Sequence, residues 1–147
     1  ALLAPQAHAG GNGRGGMGEC EMTKAEQEAI AREWIMRLGL EKWKIRGMLD
    51  AAPEDFNSSD EIRAGETEWI AVTRRATIKI RRKEAYADPE EYDFERTLVH
   101  ELLHLVFAPF YPSTGDCLET VVHMTIEDLA RALVDARHAE KREAVAE

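Results

Sequence analysis

Apolar positions recur along this chain with two different periods, and the changes of period mark its elements. Over residues 24–38, Ile30, Ala31, Trp34, Ile35 and Leu38 recur at helical spacing and form one stripe. Thr23 and Glu26 precede the stripe at the spacing of a reciprocal capping box, and Gly39 supplies the residue type that ends a helix. Residues 43–49 read as a first strand. Residues 50–66, with Pro53, Asn57, Ser58, Ser59 and Gly65, read as a loop. From residue 69 to 82 the period drops to two: Ile70, Val72, Ala76, Ile78 and Ile80 share one parity, and Thr77, Lys79 and Arg81 take the other. The break at Thr73-Arg74-Arg75 predicts a turn between two strands.

A second helix is predicted from near residue 88. Asp88-Pro89-Glu90-Glu91 combines an N-cap, a proline at the first helical position and a glutamate at the third. The helix should run to Phe107, with Pro109 and Pro112 beyond it. A third helix is expected over residues 116–138, with Leu118, Val121, Val122, Thr125, Leu129, Ala132 and Ala136 as its buried stripe and a frayed polar tail from Ala139. The class is therefore α+β: an N-terminal helix, a small three-stranded sheet and two further helices.

Residues 1–19 stand apart. Gly10-Gly11-Asn12-Gly13-Arg14-Gly15-Gly16 has the composition of a flexible linker. Ala7-His8-Ala9 faintly resembles a secretory cleavage site, without the charged start and full apolar region of a signal peptide. The segment is read as a linker or cloning remnant, with Met17 as a candidate start. Residues 20–147 are left as one domain.

Composition narrows the partners. Hydrophobic residues at 44% and charged residues at 32% belong to an ordinary globular protein. A formal net charge of −9 weighs against nucleic acid, whose binding depends on neutralising phosphates. The basic run Arg74, Arg75, Lys79, Arg81, Arg82, Lys83 is accordingly read as the wet face of a sheet. No apolar run approaches the roughly 20 residues needed to cross a bilayer. Cys20 and Cys117 are the only cysteines, which suits a reducing, cytoplasmic setting.

The chemistry lies in His100-Glu101-Leu102-Leu103-His104, an H-E-x-x-H pattern inside the apolar run that starts at Leu98. Positions i and i+4 of a helix share a face, so both imidazoles can bind one Zn²⁺. Glu101 stands beside them, where a carboxylate can take a proton from zinc-activated water. Buried polar groups are costly without partners, and a metal is such a partner.

A catalytic zinc takes three protein ligands and keeps one position open. Glu119 is the preferred third ligand and His123 the alternative; they stand at i and i+4 on the third helix. Glu127 is less favoured, about 80° round the helix from Glu119. Glu119 has a competing role in a D-x-x-E capping box with Asp116. His123 has one as a partner of a carboxylate. Cys117 is a remote candidate, because a closed site would not suit catalysis.

With these motifs in place, residues 43–136 resemble the minimal zincin core, and more narrowly the compact phage- and prophage-type metallopeptidases grouped near the minigluzincins and SprT-like proteins. The stretch from Leu98 through Tyr111 and then Leu118-Glu119-Thr120-Val121-Val122 carries most of the likeness. Among gluzincins the third ligand is a glutamate on the helix after the motif helix, which corresponds to Glu119. SprT-like proteins use a third histidine, which corresponds to His123. The metzincin extension and the N-E-x-x-S-D signature are absent. The resemblance implies a zinc endopeptidase whose extended substrate pairs with an edge strand, for which residues 76–80 are the candidate. The competing readings are a zinc-stabilised module that binds a protein partner without turnover, and a nucleic-acid-associated regulator docking through the basic strand.

Overall fold

A computed structural model describes residues 21–57, 63–110 and 117–146, with the side chains of residues 117 and 118 left aside. Helix α1 is Lys24–Arg37, β1 is Lys44–Ala51, β2 is Gly65–Ile70, β3 is Arg75–Arg81, α2 is Phe94–Phe107 and α3 is Cys117–Ala146. The fold is α+β, with three helices and a mixed sheet among the described residues. The expected linker over residues 1–19 and the D-x-x-E box at Asp116 lie outside them.

Local signals at the N-terminus act as the sequence predicts. Thr23 Oγ1 accepts from Glu26 N and Glu26 Oε2 accepts from Thr23 N, so the capping box closes. Gly39 ends the helix at φ 66°, a conformation other residues adopt at a cost. The stripe of α1 packs on the core, with Trp34 fully buried.

The sheet order is β1-β3-β2. β3 pairs parallel with β1, Ile45 opposite Ala76, and antiparallel with β2, Gly65 opposite Ile80. The central strand is therefore residues 75–81, which corrects the expectation that residues 76–80 form an edge. Its apolar face, Ala76, Ile78 and Ile80, joins Leu98, Val99 and Leu102 of α2 in one core. The other face is wet only at its start: Arg75 is exposed, but Lys79 and Arg81 are buried. Lys79 Nζ pairs with Glu66 at 3.1 Å, and the Arg81 guanidinium lies over the Phe56 ring. Alternation alone cannot tell a solvated charge from a covered one. Ile70 and Val72, which share the parity of Ala76, Ile78 and Ile80, are exposed. The hairpin sets Trp69 opposite Ala76 and Ile70 opposite Arg75, so Trp69 faces the core, and Val72 lies in the turn with Arg74 at φ 49°. β2 also claims residues 65 and 66 from the predicted loop.

Two helix boundaries move. Asp88-Pro89-Glu90-Glu91 closes as a turn: the Asp88 carbonyl accepts from Glu91 N and its Oδ1 from Glu90 N. The helix begins instead after Asp93, whose Oδ1 accepts from Arg96 N at 3.0 Å, because that start sends Phe94 into the core. Helix α3 continues past the predicted fray to Ala146. Its later turns are tied down: Arg37 donates to Glu140, and Arg137 donates to both Glu33 and Glu95. The buried stripe of α3 is Ile126, Ala130 and Val134, flanked by Val122 and Leu133. It is rotated from the predicted one, in which Val121 and Leu129 prove exposed.

A buried polar knot clamps the start of α2. The Glu95 carboxylate accepts from Trp34 Nε1 and Arg137 Nη1, each at 2.7 Å, and pairs with His138 Nε2 at 2.8 Å. Helices α2 and α3 run antiparallel, since Arg137 meets Glu95, Glu127 meets His100 and His123 meets His104.

Candidate metal centre

That antiparallel pairing decides what faces the H-E-x-x-H motif. On α2, residues Leu98, Val99, Leu102, Leu103 and Leu105 go into the core, which leaves His100 and His104 on the side shared by α3 and β2. On α3, the half-buried Val122 and the buried Ile126 carry His123 to the same place. One nitrogen from each of His100, His104 and His123 lies within 4.8 Å of the others. The ring centroids are 4.8 to 5.5 Å apart. Three imidazoles so close can hold a metal ion.

The structure thus brings His123, and not the preferred Glu119, together with the motif histidines. Glu119 lines the same cleft, exposed, one turn earlier on α3, beyond the level of His104. Glu127, one turn after His123, has a different task. Its Oε2 lies 2.8 Å from His100 Nδ1 and its Oε1 accepts from Arg96 Nη2. An ionised carboxylate only accepts, so Nδ1 carries the proton and Nε2 keeps a lone pair for a metal. Burial pushes the Glu127 carboxyl up, but hydrogen bonds from Arg96 and His100 outweigh it and hold it below the usual range.

Electrostatics favour the neutral imidazoles that a cation needs. Burial, followed by the neighbouring His100 and His123, pulls His104 down to about 4. Burial also lowers His100, against the pull of Glu127. His104 stacks on Trp69 of β2, centroids 6.3 Å apart and planes 20° apart.

Glu101 lines the same cleft, turned toward β2, and is 5% exposed. Thr67 Oγ1 donates to its Oε2 at 2.5 Å. Burial raises its carboxyl to about 7, opposed by the Thr67 hydrogen bond and the charge of Arg63. β2 comes so close that a Cβ on Gly65 would lie 2.6 Å from Glu101 Oε1. Such an approach requires glycine, a reason invisible in a residue that reads as loop punctuation. Thr67, Gly65 and the task of Glu127 were likewise not signalled: each depends on which strand and helix face the motif.

The cleft that holds the cluster has a volume of about 600 Å³ and runs between β2, α2 and α3. Among the described residues no helix is long and apolar enough to cross a membrane. Comparison with protein-family models, with curated proteins and with solved structures finds no match to this chain.

Proposed function

We propose that this protein is a zinc-dependent peptidase with a zincin-like core. The observation that carries the reading is the convergence of His100, His104 and His123 beside the covered carboxylate of Glu101. The donor set fits the metal: three imidazole nitrogens leave one position open, the pattern of catalytic rather than structural zinc. Zinc, when bound there, polarises a carbonyl and acidifies water.

The chain's own residues do the rest. Glu101 takes a proton from the attacking water and delivers it to the leaving amine nitrogen. Its raised proton affinity suits that exchange near neutral pH. Thr67 holds one carboxylate oxygen, so the group keeps its orientation. Glu127 and Arg96 fix the His100 ring. β2 forms the cleft wall at the edge of the sheet, and an extended peptide pairing with it would lie across the histidines.

The tight cover of Glu101 by Gly65 and Thr67 favours a second reading, a zinc-stabilised binding module with little turnover. Glu101→Gln separates the two. In a peptidase, the variant keeps its zinc and loses about a hundredfold or more of cleavage of a quenched-peptide library. In a binding module, wild type and variant bind zinc alike and neither cleaves. Undiminished cleavage by a clean Glu101→Gln preparation would refute the assigned role.

A further inference from the structure

A peptidase of this kind must also neutralise the oxyanion that forms when water adds to the scissile carbonyl, and dedicated donors for that charge are often the largest single contribution to rate. Among the described residues the tyrosines offer no such donor: Tyr86 and Tyr92 pack edge to face with each other and do not line the cleft. The cleft's cations among the described residues are Arg63 and Arg96. Arg96 is committed to Glu127.

Arg63 is different. Its main chain is held: its carbonyl accepts from Arg81 Nε at 2.6 Å, and the next carbonyl, Ala64, accepts from Arg81 N at 2.8 Å. Arg81 is itself buried against Phe56. The residue is therefore pinned where β2 begins, beside the glycine that touches Glu101. Its side chain is exposed, lines the histidine cleft, and its guanidinium has no hydrogen bond or ion pair among the described residues. It lines the same cleft as Glu101 and His104. A fixed backbone, an uncommitted guanidinium and a place in the cleft that holds Glu101 and the three histidines are what an oxyanion donor requires.

We propose that Arg63 donates hydrogen bonds to the oxyanion of the tetrahedral intermediate, as a catalytic residue of this cleft. The inference rests on the peptidase reading. In the step it serves, a bond forms between the water oxygen and the carbonyl carbon, and the carbonyl pair moves onto oxygen. Glu101 carries the water's proton to nitrogen; the oxygen pair then re-forms the carbonyl as the carbon–nitrogen bond breaks, its electrons leaving with the amine. Arg63 keeps its proton throughout, as guanidinium does in proteins.

The test uses zinc-loaded full-length protein with two probes. A quenched-peptide library reads turnover. A blocked phosphinic tripeptide, whose tetrahedral anion mimics the intermediate, reads binding by calorimetry. Arg63→Ala should keep its zinc, lower kcat by roughly a hundredfold or more with KM changed far less, and weaken phosphinate binding to a similar extent. Arg63→Lys should restore part of both, since it returns the charge without the planar fork. Equal phosphinate binding by wild type and Arg63→Ala, with zinc and fold intact, would overturn the proposal even if wild type cleaves peptides. Arg63-dependent phosphinate binding without any wild-type cleavage would sink the peptidase reading and leave the anion site standing. No phosphinate binding by zinc-loaded wild type would overturn the proposal.

Discussion

Gly65→Ala should destabilise this protein, and only because of Glu101. The new Cβ would stand 2.6 Å from Oε1, 2.7 Å from Cγ and 2.9 Å from Cδ of Glu101. Ordinary carbon contacts fall at about 3.5–4.0 Å, so the carboxylate would have to retreat by most of an ångström. It has nowhere easy to go. The side chain is 5% exposed, its Oε2 is held by Thr67, and Leu98 and Leu102 on the same helix are fully buried. Gly65 has no positive φ, so alanine suffers no backbone strain there. Overpacking of this kind costs about 1–3 kcal/mol. The lost freedom of the unfolded chain offsets about 0.4–1 kcal/mol of that. A net loss of roughly 1–2 kcal/mol is expected in urea unfolding of the metal-free protein. The decisive arm is the same substitution in a Glu101→Ala background. With the clash gone, Gly65→Ala should become neutral or slightly stabilising, giving a coupling of about 1–3 kcal/mol between the two positions. Equal effects in both backgrounds would show that β2 does not press on Glu101.

Glu127→Ala should weaken zinc binding roughly ten- to a hundredfold while the fold persists, because His100 loses the partner that fixes its tautomer; unchanged affinity by competition with a chromogenic chelator would refute that role. Arg137→Ala should cost about 3 kcal/mol, since it removes the buried cation paired with Glu95 and leaves that carboxylate to Trp34 and His138 alone, and thermal unfolding measures it. Burial holds Glu101 near 7 in the fold against 4.5 outside it. The stability that its protonated form supplies is present below about pH 4.5 and lost as pH rises through 7, an effect of roughly 3 kcal/mol. Metal-free Glu101→Gln should therefore exceed wild type in stability at pH 8 and lose that advantage by pH 4; an advantage independent of pH would contradict the burial argument. His104 has the opposite sign: its neutral form stabilises the fold above about pH 6.5, and that contribution is lost as pH falls through about 4.

How legible this molecule is depends on how local each signal is. The Thr23–Glu26 box, the stripe of α1 and the helical frame of His100 and His104 are set within a few residues, and all appear in the structure. The turn at Thr73-Arg74-Arg75 is equally local. Strand order is not: nothing within residues 75–81 says that β1 and β2 will flank them, so the burial of Lys79 and Arg81 is decided from outside. Asp88 and Asp93 both carry cap chemistry, and the choice falls to Asp93 because of where Phe94 packs. The third histidine fails to stand out for a related reason. Helix α3 offers Glu119, His123 and Glu127 at successive turns, and only its alignment against α2 says which turn meets His104. Once Arg137 is tied to Glu95, the rest of the helix is in register: Glu127 reaches His100 and His123 completes the cluster.

The zinc affinity of three single variants tests the proposed centre most directly. Wild-type protein purified without chelator should hold about one zinc per chain. His104→Ala and His123→Ala should each lose the metal, while Glu119→Ala should retain it. Tight zinc in His123→Ala, together with its loss from Glu119→Ala, would contradict the three-histidine centre and return the third position to the carboxylate.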